Sequence, residues 1–478
     1  MNDHRLFWTA HPALLIGISF FLSVGFTLFA FPLWLLLLWA LYVTILQKWA
    51  SLCLIPLAYA YTYLLFGQLP TLETPVASSA HFSISSLQPY NSPFAQGLIY
   101  KGTLYFESSS LPCTVPWKGA KRPIASCDYE LTGTLVQKGP YDYLFKVKNF
   151  SPIPNTWSLA ELRYRTKEHL RSFLKTKLTL PRTAHLLSSL ATGDVDDRQI
   201  RFEFSRLGLQ HLLAISGFHF GVLLAFFSFF LSLFLPHRWK WICMLLLMTL
   251  YFLFIGSSPA VQRAWIAATL VLAAKIVRRP ANPLNLLGAA FFIELALNPL
   301  IVGNLGFQLS FGCCFGILLL YYPFEKWLQK YLPKRPSYQS IHLSPISQIL
   351  FLGSTLFRSA ISMTVAVNAA IFPLLLYHFG RFPLLSLLYN LFFPLLISMA
   401  LFLFMATLLF NAASPLIGTP LFSLLDRFTK EILDLVAHPP LLLDYSFYCP
   451  PFSPLLIPIY LFALFVLSLR LTKEFTTE

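Results

Sequence analysis

Ser216 and His219 have the types and spacing of a nucleophile and its base, inside the segment His211-Leu-Leu-Ala-Ile-Ser-Gly-Phe-His-Phe-Gly221. On a helix Ser216 and His219 fall about 60° apart and His211 about 80° from His219, so all three share one broad face. Hydrolysis would also need a group that orients the imidazole. No carboxylate stands near these residues, and the sequence has no G-x-S-x-G turn. Metal chemistry is no better supported: there is no H-E-x-x-H, no C-x-x-C, and the seven cysteines are scattered. The expectation is a protein with no catalytic residue, metal or cofactor. Because ionisable groups at bilayer depth usually face a bundle interior or water, these side chains are expected to line a polar path.

Other polar clusters interrupt apolar runs in the same way. Ser257-Ser-Pro-Ala-Val-Gln-Arg263 opens one, and Asn298-Pro299 followed by Gly306-Phe-Gln-Leu-Ser-Phe311 opens another. Asn368 and Pro373 share a third run, Asn390 and Pro394 a fourth. Helices broken at proline or glycine expose backbone groups, which is tolerable only within protein or beside a water-filled cavity. The candidate path residues are therefore His211, Ser216, His219, Arg263, Gln308, Asn368 and Asn390. Gly217 with Gly221, and Gly312 with Gly316, have the G-x-x-x-G spacing that lets helices approach closely.

The elements that hold these residues are membrane-grade. Of 478 residues 56% are hydrophobic and 12% charged, and mean hydropathy is +0.64. Apolar runs near the bilayer-spanning length lie near 13–31, 33–47, 50–66, 209–235, 240–256, 260–277, 283–298, 305–322, 360–379, 384–410 and 453–471. The first lacks an A-x-A site and is followed at once by a second, so it reads as a retained anchor. The expected fold class is a polytopic α-helical membrane protein of ten or eleven apolar segments. The amphipathic stretch 414–438 is expected at the interface.

Arg5, Lys48, Arg238/Lys240, Lys275/Arg278/Arg279 and Lys326/Lys330/Lys334/Arg335 fall at alternate membrane ends. The positive-inside rule then sets the N-terminus in the cytoplasm and residues 70–206 outside. Four domains follow. Residues 1–69 hold the first transmembrane helices, 70–157 a β domain, 158–208 a basic helical linker, and 209–478 the main transmembrane domain.

Strand signals at 98–106, 129–136 and 143–148 suit a small barrel of about five strands, with an OB-like fold as one solution. Arg163, Arg165, Lys167, Arg171 and Lys175 then alternate with apolar residues. They fit either a helix on phospholipid or a basic funnel at a pore mouth. Cys53, Cys243, Cys313 and Cys314 read as packing residues. Cys113 and Cys127 fall in the outer block, where either a disulfide or two free thiols is open. The net charge of +15 fits cytoplasm-facing loops and anionic headgroups, with a polyanionic substrate as the alternative.

Residues 211–219, Ser258-Pro-Ala-Val-Gln-Arg-Ala264, Asn298-Pro299 with Gly306–Phe311, and the run from Asn368 through Phe379-Gly380 to Pro394 resemble the ComEC family of bacterial competence proteins, over about residues 13–470. The resemblance implies a plasma (inner) membrane channel that carries single-stranded DNA inward during natural transformation. It also implies the lipid bilayer as surroundings and a DNA receptor, a cytoplasmic DNA motor and possible homo-oligomers as partners. Many family members continue into a metallo-β-lactamase-like domain. Its ligands are missing here, so a separate nuclease is expected. The rival reading is a multi-pass transporter or transferase acting on an anionic or lipid-linked small molecule.

Overall fold

The computed structural model describes residues 2–67, 69, 75–92, 95–106, 109–117, 128–139, 141–153, 158–333, 344–383, 385–440, 446–450 and 452–477. Helices α1 (Asn2–Ala10), α2 (Pro12–Phe29), α3 (Leu33–Ile45) and α4 (Trp49–Phe66) come first. Strands β1 (Val76–Ser92), β2 (Ala95–Phe106), β3 (Ser109–Trp117), β4 (Asp128–Gly139) and β5 (Asp142–Pro152) follow. The chain continues through α5 (Leu159–Lys177), α6 (Pro181–Thr192), α7 (Arg198–Arg206), α8 (Gln210–Leu213), α9 (Gly217–Phe234) and α10 (His237–Ile255). Next come α11 (Pro259–Ile276), α12 (Pro283–Leu297), a 3-10 turn at Pro299–Gly303 and α13 (Leu305–Gln329). The last elements are α14 (Pro345–Phe379), β6 (Arg381–Pro383), α15 (Leu385–Ala413), α16 (Pro415–Ala437), β7 (Ser446–Tyr448) and α17 (Leu456–Thr477).

Among the described residues seven helices are long and apolar enough to cross a membrane, and three shorter apolar helices accompany them. Their outward faces carry Leu37, Leu41, Leu64, Phe234 and Leu250, all exposed. A water-facing surface would not tolerate such a continuous apolar coat, so these faces belong against lipid. The chain is a membrane protein. Prolines set several helix starts, because Pro12, Pro181, Pro259, Pro283 and Pro415 all fall at a first turn where no N–H partner is needed.

Proline does not break helices where the sequence led us to expect it. α14 runs through Pro373 and α15 through Pro394. The missing N–H of Pro373 frees the carbonyl of Ala369, and the Tyr460 hydroxyl of α17 donates to that oxygen at 2.8 Å. The helix survives because a neighbour supplies the lost donor.

The strands close a barrel in the order β1-β2-β3-β5-β4, antiparallel except for the β3–β5 pair. Alternation puts Tyr129, Leu131 and Leu135 of β4 inside, and Glu130 and Thr132 outside. Phe82, Tyr100, Leu104, Leu111, Val115, Tyr143 and Phe145 complete an interior that excludes water. Two of the five strands, β1 and β3, carried no separate sequence signal. Cys113 points into this core, where burial pushes its thiol up to about 12. The proposed partner, Cys127, lies outside the described residues. Cys53 is exposed on α4 and is not the packing residue expected.

Helix packing explains two of the four glycines singled out. A Cβ at Gly316 would stand 2.6 Å from the Ala366 carbonyl and the Ala370 methyl, so α13 and α14 meet closely there. At Gly312 the nearest atom would be an Ile371 methyl at 3.3 Å. Gly217 and Gly221 have nothing within 4 Å, so they are not helix-packing contacts within this chain. Gly221 instead opens an apolar groove of about 510 Å³ between α9 and α15, beside Phe218, Ala225, Met399 and Phe402.

Candidate substrate path

The segment 211–221 is not one helix. α8 stops at Leu213, Ala214 is extended, and Ser216 (φ −141°, ψ −177°) occupies the cap position of α9 without a side-chain cap bond. The shared face of His211, Ser216 and His219 therefore does not form. His211 is exposed, with Nδ1 3.1 Å from the Gly208 carbonyl. His219 is buried to 1% exposure, and neither ring nitrogen has a hydrogen-bond partner. Ser216 stands at the cap of the helix whose first turn carries His219, but with both ring nitrogens unpartnered the imidazole is not hydrogen-bonded to the serine hydroxyl.

The second motif builds more. Ser258 caps α11 by accepting from the Val261 N–H at 3.4 Å, and Pro259 at the first turn fixes the helical start. One turn later Arg263 turns inward, 4% exposed. Its Nη1 reaches the Pro259 carbonyl only at 3.5 Å and its Nη2 has no partner. The guanidinium lies 5.2 Å from the centre of the Phe311 ring on α13, a cation–π distance. Glu294 of α12, fully buried, is within electrostatic reach of Arg263, and both its carboxylate oxygens lack a partner. The buried Lys167, Arg171, Glu203 and Asp426 close direct side-chain bonds; this pair does not.

Gln308 sits one turn before Phe311. Its amide donates to the Val302 carbonyl at 2.9 Å and its oxygen lies 3.3 Å from His378 Nε2. The Asn298–Asn304 stretch is thus a structural corner: the 3-10 turn, the Asn304 cap on Phe307 N–H at 3.1 Å, and the Gln308 amide fix where α13 begins. Asn368 donates to the Thr364 carbonyl of its own helix at 2.8 Å. Asn390 Oδ1 is buried and unpartnered. The structure brings Arg263 beside α13 at Phe311 and Gln308 beside His378. It gives His211 and Asn368 local bonds and no shared site.

The basic stretch is largely neutralised. α5 is capped by Ser158, whose hydroxyl accepts from Ala160 and Glu161 N–H, and carries Glu161 in its first turn and Lys175 and Lys177 in its last, matching the helix dipole. Lys167 and Arg171 are buried, and both bind Asp194 Oδ2, at 3.0 and 2.8 Å. Arg171 also meets Asp196 at 3.2 Å and Glu168 at 3.1 Å. Burial holds the Lys167 ammonium below its ordinary value despite Asp194. Burial also opposes the Arg171 charge, but Asp196 and Asp194 outweigh it, and the Asp196 carboxyl is raised by its own burial. Arg165 pairs with Glu161 at 2.8 Å. Arg163 Nε donates to the Leu253 carbonyl at 2.8 Å and Nη1 to the Ser85 carbonyl at 3.3 Å, pinning the barrel to α10. Among the described residues Lys175 is the one of the five that makes no hydrogen bond or ion pair, and it is exposed. Through Arg163, Lys167 and Arg171 the helix acts as a structural brace, while Arg165 and Lys175 stay exposed.

A second brace escaped sequence reading. Asp426 of α16 accepts from the Thr179 N–H at 3.0 Å and from the Thr179 and Thr183 hydroxyls. Burial works against its charge, yet these hydrogen bonds prevail and hold the carboxyl below the usual range. Among the described residues no cluster of three His, Cys, Asp or Glu could hold a metal ion.

Apolar spans around a few inward polar groups, with a five-stranded barrel inserted before them, define a polytopic membrane protein. The family model described as "Competence protein" matches residues 191–474, more than half of the sequence, and the chain belongs to that family. It is 29% identical over 289 residues to ComE operon protein 3 of Bacillus subtilis (strain 168), a match covering 56% of this chain and 33% of that protein. The chain thus spans about a third of the length of the curated relative it matches. No solved structure gives a significant match. Arg263, Glu294 and Phe311 all lie inside the family-matched region.

Proposed function

We propose that this chain forms the plasma-membrane path by which single-stranded DNA enters a bacterial cell during natural transformation, and that it moves its substrate without cleaving it. The observation that carries the reading is Arg263: a guanidinium 4% exposed among apolar helices, with Nη2 unfilled and an aromatic ring at 5.2 Å. A single strand offers one phosphate charge per nucleotide and a base that stacks on aromatic faces, and Arg beside Phe suits both. Conduction also requires that no site holds the ion too tightly. One partly satisfied arginine meets that condition better than a basic cluster would.

The barrel fits the receiving end. Its outer face carries Lys101 and the half-exposed Tyr105, with Tyr105 5.4 Å from His81, and Lys146 and Lys148 stand outward on β5. Charge alternation in the short loops supports a cytoplasmic N-terminus and a barrel outside. In this reading a surface DNA receptor delivers the strand, a separate nuclease removes its complement and a cytoplasmic motor draws it in.

The test is binding of a fluorescent oligothymidylate to the purified full chain across a salt series. Affinity should fall steeply, with a slope of about −0.7 per phosphate contacted. Salt-independent binding of a lipid-linked sugar, without DNA binding, would favour the small-molecule transporter or transferase instead.

A further inference from the structure

Among the described residues Arg358 is also buried with Nε and Nη2 unpartnered, 3.6 Å from Glu325, but only the Arg263–Glu294 pair also leaves both oxygens of a fully buried acid without a partner. Lys167 and Arg171 bond Asp194 directly at 3.0 and 2.8 Å. Glu294 makes no such bond, although it is fully buried and both oxygens lack partners. Arg263 likewise keeps Nη2 unspent. Among the described residues the surroundings offer Glu294 no other cation. α2 and the 3-10 turn carry no ionisable residue, and α12 carries none besides Glu294 itself. Tyr61 of α4 spends its hydroxyl on the Ala296 carbonyl at 2.6 Å. On α13 the charge of Arg263 is felt by Cys313 and Cys314, which are thiols. Phe291, Phe307 and Phe311 fill the rest, with Phe291 and Phe311 4.8 Å apart.

Two opposite charges at bilayer depth are costly, and a pair kept only for stability gains most by closing its hydrogen bonds. An open pair leaves the guanidinium available for a different acceptor. We propose that Glu294 is the resident counter-ion of Arg263, and that a backbone phosphodiester of the passing strand takes its place at the guanidinium. This rests on the DNA-path reading above. Glu294 balances Arg263 when no strand is present. Once a phosphate arrives, the carboxylate repels it, so the strand is admitted and then released. The site is therefore a weak phosphate step with a built-in competitor, which is the form conduction requires.

The experiment compares wild-type, Glu294→Gln, Arg263→Gln and the double variant in detergent, by anisotropy of a fluorescent oligothymidylate. Glu294→Gln keeps shape and removes the competing charge, so it should bind about tenfold tighter, the low end of coupling seen between close charges. That gain should vanish in the double variant, and it should be absent with a methylphosphonate oligomer, whose backbone is uncharged. Wild-type affinity in Glu294→Gln, or a gain that survives Arg263→Gln, overturns the proposal while leaving the DNA path standing. Failure of the wild-type protein to bind oligonucleotide at any salt overturns both. A soluble short-chain phosphatidylglycerol carries the same diester. If it displaces the Arg263-dependent component better than unlabelled oligonucleotide does, the site is a lipid site and the proposal fails. Should Glu294→Gln not purify, Glu294→Asp draws the carboxylate back by one methylene and should shift affinity in the same direction; an unchanged value overturns the assignment.

Discussion

Replacing Asp194 by asparagine removes the acceptor shared by two buried cations. Lys167 and Arg171 lie 3.0 and 2.8 Å from the same Oδ2, and both side chains are under 10% exposed. Arg171 retains Asp196 and Glu168, whereas Lys167 has only Asp194 as an ion-pair partner among the described residues. Breaking one side of a buried pair costs about 3–5 kcal/mol. Lys167 can escape part of that cost by losing its proton, because burial already holds its ammonium below the ordinary value. The expected loss is therefore near the lower end, about 3 kcal/mol, or roughly a 150-fold change in a local opening equilibrium. Hydrogen exchange measured by mass spectrometry on the detergent-solubilised chain should show that acceleration over 159–197. The sign with pH follows from the lysine: with its folded value depressed, the unfolded chain binds the extra proton, so the variant gains stability as pH rises. Lys167→Met combined with Asp194→Leu should recover most of the protection. Unchanged exchange in Asp194→Asn, or a double variant as labile as the single, would refute the brace.

Three further outcomes are expected. Gly316→Leu should cost about 1–3 kcal/mol by forcing α13 from α14, whereas Gly221→Leu, facing open space, should stay within about 0.5 kcal/mol; thermal unfolding in detergent separates them. The Asp426 carboxyl, held low by Thr179 and Thr183, contributes stability above the ordinary carboxylate value and loses it as pH falls through its folded value, below about pH 4. Asp426→Asn should remove that acid-dependent part from a pH series of melting temperatures. Gly256 has φ +95°, and a Cβ there would stand 2.9 Å from Arg163 Nη1, so Gly256→Ala should loosen the barrel from α10, read as faster hydrogen exchange over 159–166.

The sequence made much of this architecture readable. Apolar runs marked the spans, alternation in Tyr129–Val136 marked the barrel, and Ser258-Pro259 marked a helix start that delivers Arg263 inward. Three features were hidden for physical reasons. Glu294 looks like a lone charge in Phe-Phe-Ile-Glu-Leu-Ala-Leu, because its counterpart lies 31 positions earlier on another helix. The α5 cations looked free, since Asp194 and Asp196 follow a different helix and reach back only after the chain turns at Gly193. The break at 214–216 carries no proline, so a periodic reading ran one helix through it and gathered His211, Ser216 and His219 on a face that does not exist. A buried acid near a distant arginine motif is the signal that could have found Glu294.

Arg263 is the central residue of the proposed DNA path. The most direct measurement follows fluorescent DNA in transformable cells that carry Arg263→Ala in place of the wild-type chain, at equal membrane abundance. Label should still collect at the cell surface, while label inside the cytoplasm drops to the level of a strain lacking the gene. Cytoplasmic label equal to wild type would contradict the account.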